Sequence, residues 1–184
     1  MLLDKQKSCL VVMDVQEKLA NKVINAKNMI GCCEWLVRLA SELDVPILAC
    51  EQYPKGLGRT INPLRNLLTP NLFIEKASFS AFSDATFHQE LYKLNRKQIV
   101  LIGIETHVCI LQTALELIAA NYQVFIVIDA VSARHMQDHH AGLDRMKQAG
   151  AQIITAEMAF YEWVKQAGTE VFKSLNKAFM KMEN

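Results

Sequence analysis

The sequence predicts an α/β domain built on a parallel sheet with helices on both faces. Two observations carry this. Six short runs recur along the chain that are apolar throughout rather than alternating, as strands buried on both faces are. Between them lie stretches whose apolar residues repeat at helical spacing, and this alternation of strand and helix is the signature of a parallel sheet. No repeat, low-complexity segment or linker interrupts the pattern. Residues 1–184 therefore read as one domain, long enough for a full core.

Residues 8–13 (Ser-Cys-Leu-Val-Val-Met) form the first strand, ended by Asp14. Residues 27–43 read as a helix, with Met29, Cys33, Leu36, Val37, Ala40 and Leu43 on one face. The second strand is 45–50, with Pro46 at its start, where a missing ladder donor matters least. Residues 51–70 hold three of the four prolines and two glycines, so they read as a loop. Leu72-Phe73-Ile74 is a short third strand, ended by Glu75-Lys76. A helix over 84–95 turns Phe87, Leu91 and Leu94 inward. The fourth strand, 98–102, runs into Gly103, and a helix follows from near Thr106. The fifth strand is 123–129. A helix over 135–149 ends at Gly150, which suits the left-handed turn past a helix. The sixth strand is 152–155. Two more helical segments finish the chain, the last with Phe172, Leu175 and Phe179 at helical spacing. That stripe serves internal packing or joins subunits.

Composition excludes several function classes. The net charge of +1 leaves no electrostatic footprint for nucleic acid or an anionic membrane surface. The apolar runs are far short of a membrane span, and the first residues show no signal-peptide pattern. Five cysteines, an odd number with Cys32 and Cys33 adjacent, argue for a reduced cytoplasmic protein rather than a disulfide framework. No CxxC pair suggests structural zinc. No GxGxxG follows the first strand and there is no P-loop, so no nucleotide cofactor is expected.

Ligands of an open α/β sheet bind beyond the carboxyl ends of its strands, where strand order reverses. Asp14, Lys76 and Cys109 each follow or end an apolar run, so they are able to converge there. Together they make a carboxylate to take a thiol proton, a cation to hold it, and a nucleophile. Thr106 reads as an N-cap, which places Cys109 at the positive end of a helix, where a thiol ionises more readily. Each residue also has a plainer reading. Asp14 caps a helix, Lys76 lies on the surface, and Cys109 is a small buried apolar group, as most free cysteines are. His135 and His139 share a helix face, and His140 is beside them, but no third metal ligand has a fitting spacing. His107 points away from Cys109 on a helix and is at most a substrate contact. Phe79 and Phe82 either line a pocket or pack.

Several motifs then stand in one order: Asp14-Val15-Gln16, Glu51-Gln52-Tyr53-Pro54-Lys55-Gly56-Leu57-Gly58, Lys76-Ala77-Ser78-Phe79-Ser80-Ala81-Phe82, and Gly103-Ile104-Glu105-Thr106-His107-Val108-Cys109. In this the chain resembles the isochorismatase-like hydrolases over nearly its whole length, most closely their isochorismatase-domain-containing and YcaC-like branch. The resemblance implies a three-layer α/β/α fold on a six-stranded parallel, Rossmann-like sheet. It implies a Cys–Asp–Lys triad in which Cys109 attacks a carbonyl carbon, Asp14 is the base and Lys76 the supporting cation. The N–H groups of Glu105 and Cys109 would form the oxyanion hole, beside a cis peptide at Ile104–Glu105. Gln16, Tyr53, Phe79, Phe82 and Thr106 are the candidate substrate contacts.

Two departures narrow the expectation. Nicotinamidases of this superfamily hold a metal through an Asp-x-His pair, where this chain has Glu51 and Tyr53. A tyrosine does not replace a neutral imidazole ligand, so no metal and no cofactor are expected. Isochorismatase itself lacks the cysteine and acts on a vinyl ether, so Cys109 points to an amide-type C–N bond of a small molecule. The alternatives are another small acyl or ester substrate, or a non-catalytic interaction module. A homo-oligomer is expected.

Overall fold

The computed structural model describes residues 1–69 and 73–180. In chain order these form β1 (Ser8–Met13), α1 (Ala26–Glu42), β2 (Ile47–Gln52), α2 (Pro54–Leu57), α3 (Asn62–Arg65), β3 (Phe73–Lys76), α4 (Ala85–Leu94) and β4 (Gln98–Ile104). A π-helical turn (Thr106–Ile110) then leads into α5 (Leu111–Ala119), β5 (Gln123–Ser132), α6 (Met136–Gln148), β6 (Gln152–Ile154), α7 (Ala156–Val164) and α8 (Glu170–Leu175). The strands make one six-stranded sheet in the order β3-β2-β1-β4-β5-β6, and every pairing is parallel. From β1 the chain builds outward to β3, then returns to lay β4 on the other side of β1. The strand order therefore reverses between β1 and β4, and that crevice is the expected ligand position.

Both faces of the sheet are covered, as the unbroken apolar runs require. Leu10 and Val12 of β1 join Val100 and Ile102 of β4 against α1 and α7, with Leu36, Phe160 and Trp163 in that layer. Cys9, Val11 and Met13 point the other way, with Leu101, onto α4, α5 and α6 through Phe87, Leu117 and Met146. Each large apolar side chain fully buried here contributes about 1.5–3 kcal/mol relative to exposure. Gly103 lets the two central strands meet. Its φ is +108°, and a Cβ there would stand 2.1 Å from the Met13 carbonyl oxygen.

Several boundaries differ from expectation. β2 runs on through Glu51 and Gln52, which are buried strand residues rather than loop. Glu51 tolerates burial because Arg59 and Arg65 bind its carboxylate at 2.9 and 3.1 Å and the Thr60 N–H donates to it at 2.7 Å. The rest of that stretch contains two short helices, α2 and α3. β3 reaches Lys76, while Leu72 of the expected third strand lies outside the described residues. β5 continues to Ser132. Thr106 is not an N-cap: it opens the π-helical turn, and its hydroxyl lies 2.9 Å from His139 Nδ1. The C-terminal stripe packs on its own chain, with Phe172, Leu175 and Phe179 in the α1/α7 layer and Trp35 Nε1 donating to the Phe179 carbonyl.

Candidate active site

The ends of β1, β2 and β3 and the turn after β4 converge on one buried cluster. Asp14 leaves β1 in the left-handed region, at φ +54°, and its N–H donates to the Cys50 carbonyl at 3.1 Å. Lys76 ends β3, two strands away. Its side chain crosses the end of β2, where Nζ donates to Gln52 Oε1 at 2.6 Å, and reaches Asp14 Oδ2 at 2.9 Å. Asp14 and Lys76 are 1% and 2% exposed, so the ion pair is out of water. Asp14 Oδ1 has no hydrogen-bond partner among the described residues. Cys109 is the fourth residue of the π-helical turn and is 6% exposed. Its thiol is close enough to Asp14 and Lys76 that all three affect ionisation at the site.

Burial decides the protonation behaviour. It raises Asp14 above the ordinary carboxylate range, against the opposing charge and hydrogen bond of Lys76. Burial, then the charge of Asp14, pushes the Cys109 thiol up to about 12, with Lys76 opposing. This corrects the expectation that a helix start would make the thiol ionise readily. The turn is π-helical and enclosed, so desolvation outweighs any helix-dipole effect. A neutral thiol therefore rests beside a carboxylate whose affinity for a proton is increased.

The turn carrying Cys109 is held from several sides. The Ile104–Glu105 peptide is cis, as the resemblance implies. Among the described residues the Glu105 N–H donates to no protein acceptor, while its carboxylate accepts from the N–H and Nε of Arg134. α6 lies against the turn at Gly142, where a Cβ would come within 3.1 Å of the Thr106 carbonyl oxygen and His107 Cα. On the other side, Glu116 of α5 accepts from Ser80 and Ser83, and Thr113 Oγ1 accepts from the Ala81 N–H. These bonds tie the segment after Lys76 to the helix after Cys109.

The five candidate substrate contacts have different surroundings. Gln16 is wholly buried, with its amide bonded to Gln52 N–H, Gln52 C=O and Gly58 C=O, so its side chain clamps these segments together. Thr106 is buried, with its hydroxyl 2.9 Å from His139 Nδ1. Phe82 packs on His88 and Tyr122. Phe79 is exposed, and its carbonyl accepts from Lys76. Tyr53 is exposed at the end of β2, and its N–H donates to the Lys76 carbonyl. Glu51 is taken up by its arginines, and no group of three His, Cys, Asp or Glu side chains gathers as a metal site among the described residues. A cavity of about 250 Å³ lies between α1 and α6, lined by Asn28, Asp129, Ser132 and His139, and not by the Asp14–Lys76–Cys109 cluster. Sequence reasoning missed Gln52. It lies within the Glu51-Gln52-Tyr53 motif and continues an apolar strand, but nothing in the sequence assigns it a role, because its partners come from distant segments.

A doubly wound parallel sheet with an acid, a cation and a thiol at its switch point defines the class, and a profile of the isochorismatase domain matches residues 8–158. The chain belongs to the isochorismatase family. Isochorismatase domain-containing protein 2 from Rattus norvegicus is 35% identical over 175 residues, covering 94% of this chain and 80% of that protein. A structure described as MAR1 ribonuclease from Caenorhabditis elegans superposes with a TM-score of 0.91 at 32% identity, over 100% of this chain and 95% of the other. The YcaC product of Escherichia coli, described as an octameric hydrolase of unknown specificity, shares the fold with a TM-score of 0.91 at 24% identity, covering 98% and 91% of the two chains.

Proposed function

We propose that this protein is a cysteine hydrolase that cleaves an amide-type C–N bond of a small molecule. The observation that carries the reading is the buried Lys76–Asp14 pair beside the Cys109 thiol. A buried ion pair is at best weakly stabilising, and its desolvation is costly. A non-catalytic interaction module leaves that cost without a purpose, whereas a hydrolase uses both charges.

In the proposed cycle the Cys109 proton passes to Asp14 Oδ1, the oxygen without a partner. Sγ attacks the carbonyl carbon, and the N–H groups of Glu105 and Cys109 hold the oxygen that becomes negative. Protonated Asp14 gives its proton to the leaving nitrogen, and the C–N bond breaks to leave a thioester. Asp14 then takes a proton from water as hydroxide adds to the thioester carbonyl, the C–S bond breaks to release the acid, and Asp14 returns its proton to Cys109 Sγ. Lys76 stabilises the carboxylate and the thiolate and does not contact substrate. Tyr53 and Phe79, both exposed and each bonded to Lys76 through its main chain, are the substrate contacts of this reading. Self-association belongs to the same reading and is measured by light scattering.

The test is a panel of small amides, carbamates, ureas and esters. Hydrolysis should be blocked by thiol alkylation, lost in Cys109→Ala, and unchanged after prolonged dialysis against EDTA. An oligoribonucleotide belongs in the panel because of the description of the C. elegans relative, and it should not be cut. Hydrolysis that survives in Cys109→Ala, or that zinc restores after chelation, contradicts the proposal.

A further inference from the structure

We propose that Gln52 is a positioning residue of this site, holding the Lys76 ammonium against Asp14 and thereby setting the reactivity of Cys109. The proposal rests on the cysteine-hydrolase reading. An ammonium has three N–H donors and no acceptor. Four acceptors surround Lys76 Nζ: Gln52 Oε1 at 2.6 Å, Asp14 Oδ2 at 2.9 Å, and the carbonyls of Phe79 and Ser78 at 3.2 and 3.3 Å. The two close ones are the amide and the carboxylate. Without Gln52, only two long carbonyl contacts would accompany the bond to Asp14.

The amide works in one orientation. Gln52 Nε2 donates to the Ala77 carbonyl at 2.7 Å, so a flip would set an NH2 against an ammonium and an oxygen against a carbonyl. Its main chain is fixed as well. Gln16 accepts from the Gln52 N–H at 2.7 Å and donates to the Gln52 carbonyl at 3.0 Å. That primary amide continues the β1–β2 ladder after the main chain of β1 has turned away at Asp14. The third bond, to the Gly58 carbonyl at 2.7 Å, anchors the clamp in the segment after β2. Gln16, Gln52, Lys76 and Asp14 thus form one buried chain, and a charge-assisted bond is strong in such surroundings.

An amide suits this position better than a carboxylate. It accepts from the ammonium without neutralising it, so the positive charge still acts on Asp14 and Cys109. Lys76 favours the charged forms of both. Loosening Lys76, or neutralising it locally, therefore moves both titrations to higher pH.

The experiment follows the pH–rate profile of iodoacetamide alkylation at Cys109, read by peptide mapping, in folded wild type, Gln52→Met, Gln52→Glu and Asp14→Asn. In both Gln52 variants the alkylation rate should fall by about tenfold at every pH between about 7 and 9, the displacement that a rise of about one pH unit in the thiol titration produces. Alkylation of the half-buried Cys32 should not change. A purely structural role would lower the melting temperature and leave the Cys109 profile in place. Should Gln52→Met fail to fold, the near-isosteric Gln52→Glu carries the test. A wild-type profile in a folded Gln52 variant, while Asp14→Asn still alters it, overturns the role of Gln52 and leaves the hydrolase reading standing. Indifference of Cys109 to Asp14→Asn overturns both.

Discussion

At the scale of single residues, the centre of the molecule is a charged pair in a dry place. Asp14 is harder to ionise folded than unfolded, because desolvation exceeds what Lys76 returns. Its folded-state pKa is raised, so its contribution to stability is complete below the ordinary carboxylate range and is lost as pH rises through the folded value. Removing Lys76 deepens this. Lys76→Ala should lose about 3–5 kcal/mol at pH 7.5, the range for breaking a buried pair. The deficit should shrink at pH 5, as Asp14 takes up a proton. Urea unfolding at the two pH values checks this, and a deficit that ignores pH would contradict it. Asp14, Lys76 and Cys109 were legible in the sequence because each is a reactive residue at the end of an apolar run. The bonding roles of Gln16, expected only as a substrate contact, and of Gln52 were not, since an amide declares its role only through its partners, and those lie 36 and 24 residues away for the bonds Gln16–Gln52 and Gln52–Lys76.

At the scale of elements, two glycines make the close approaches that bring the site together. Gly103→Ala would drive a Cβ into the Met13 carbonyl at a positive φ, with no flexible neighbour to yield. It should cost about 3 kcal/mol or more and weaken the β1–β4 junction itself. Gly142→Ala meets contacts of 3.1 Å on the turn that carries Cys109. Its stability loss should be about 1 kcal/mol, with a disproportionate fall in turnover, because misplacing the nucleophile slightly is expensive. Chemical unfolding alongside the panel assay separates the two cases; equal effects on stability and turnover in Gly142→Ala would contradict the second. The helices with long 3.6-residue patterns were readable to within a residue or two, α1 and α4 among them. The π-helical turn was not. Val108, Leu111 and Leu115 keep helical spacing through it, so Thr106 looks like a cap when only the sequence is considered. The end of β2 was missed because Glu51 and Gln52 are polar, and their burial depends on Arg59, Arg65, Lys76 and Gln16.

At the scale of the whole molecule, fold class was legible in the apolar runs, but strand order was not, because order depends on which crossovers pack. Convergence of Asp14 and Cys109 was therefore an expectation until β4 was seen beside β1. The buried thiols of the core also bear on stability at alkaline pH. Burial raises all five thiols, with Cys9 and Cys32, like Cys109, pushed to about 12. The unfolded chain loses these protons near the ordinary thiol value while the folded chain keeps them. Each thiol is thus neutral in its effect below that value and lowers stability as pH rises from about 9 towards 12, by up to about 1.4 kcal/mol per pH unit. Cys9→Ala should cost stability at pH 8 through its cavity, yet show a shallower decline between pH 9 and 10.5 in urea unfolding. Parallel declines would show that the Cys9 thiol is not protected.

The central claim is that Cys109 is the nucleophile and that Asp14 activates it. It is tested most directly by trapping the acyl intermediate. The protein is mixed briefly with an activated ester such as p-nitrophenyl acetate, quenched in acid and mapped by mass spectrometry. The expected result is one acyl group on the peptide containing Cys109, absent in Cys109→Ala and formed at least about tenfold more slowly in Asp14→Asn. Acylation spread over Cys32 and surface lysines, at a rate that Asp14→Asn does not change, would contradict it.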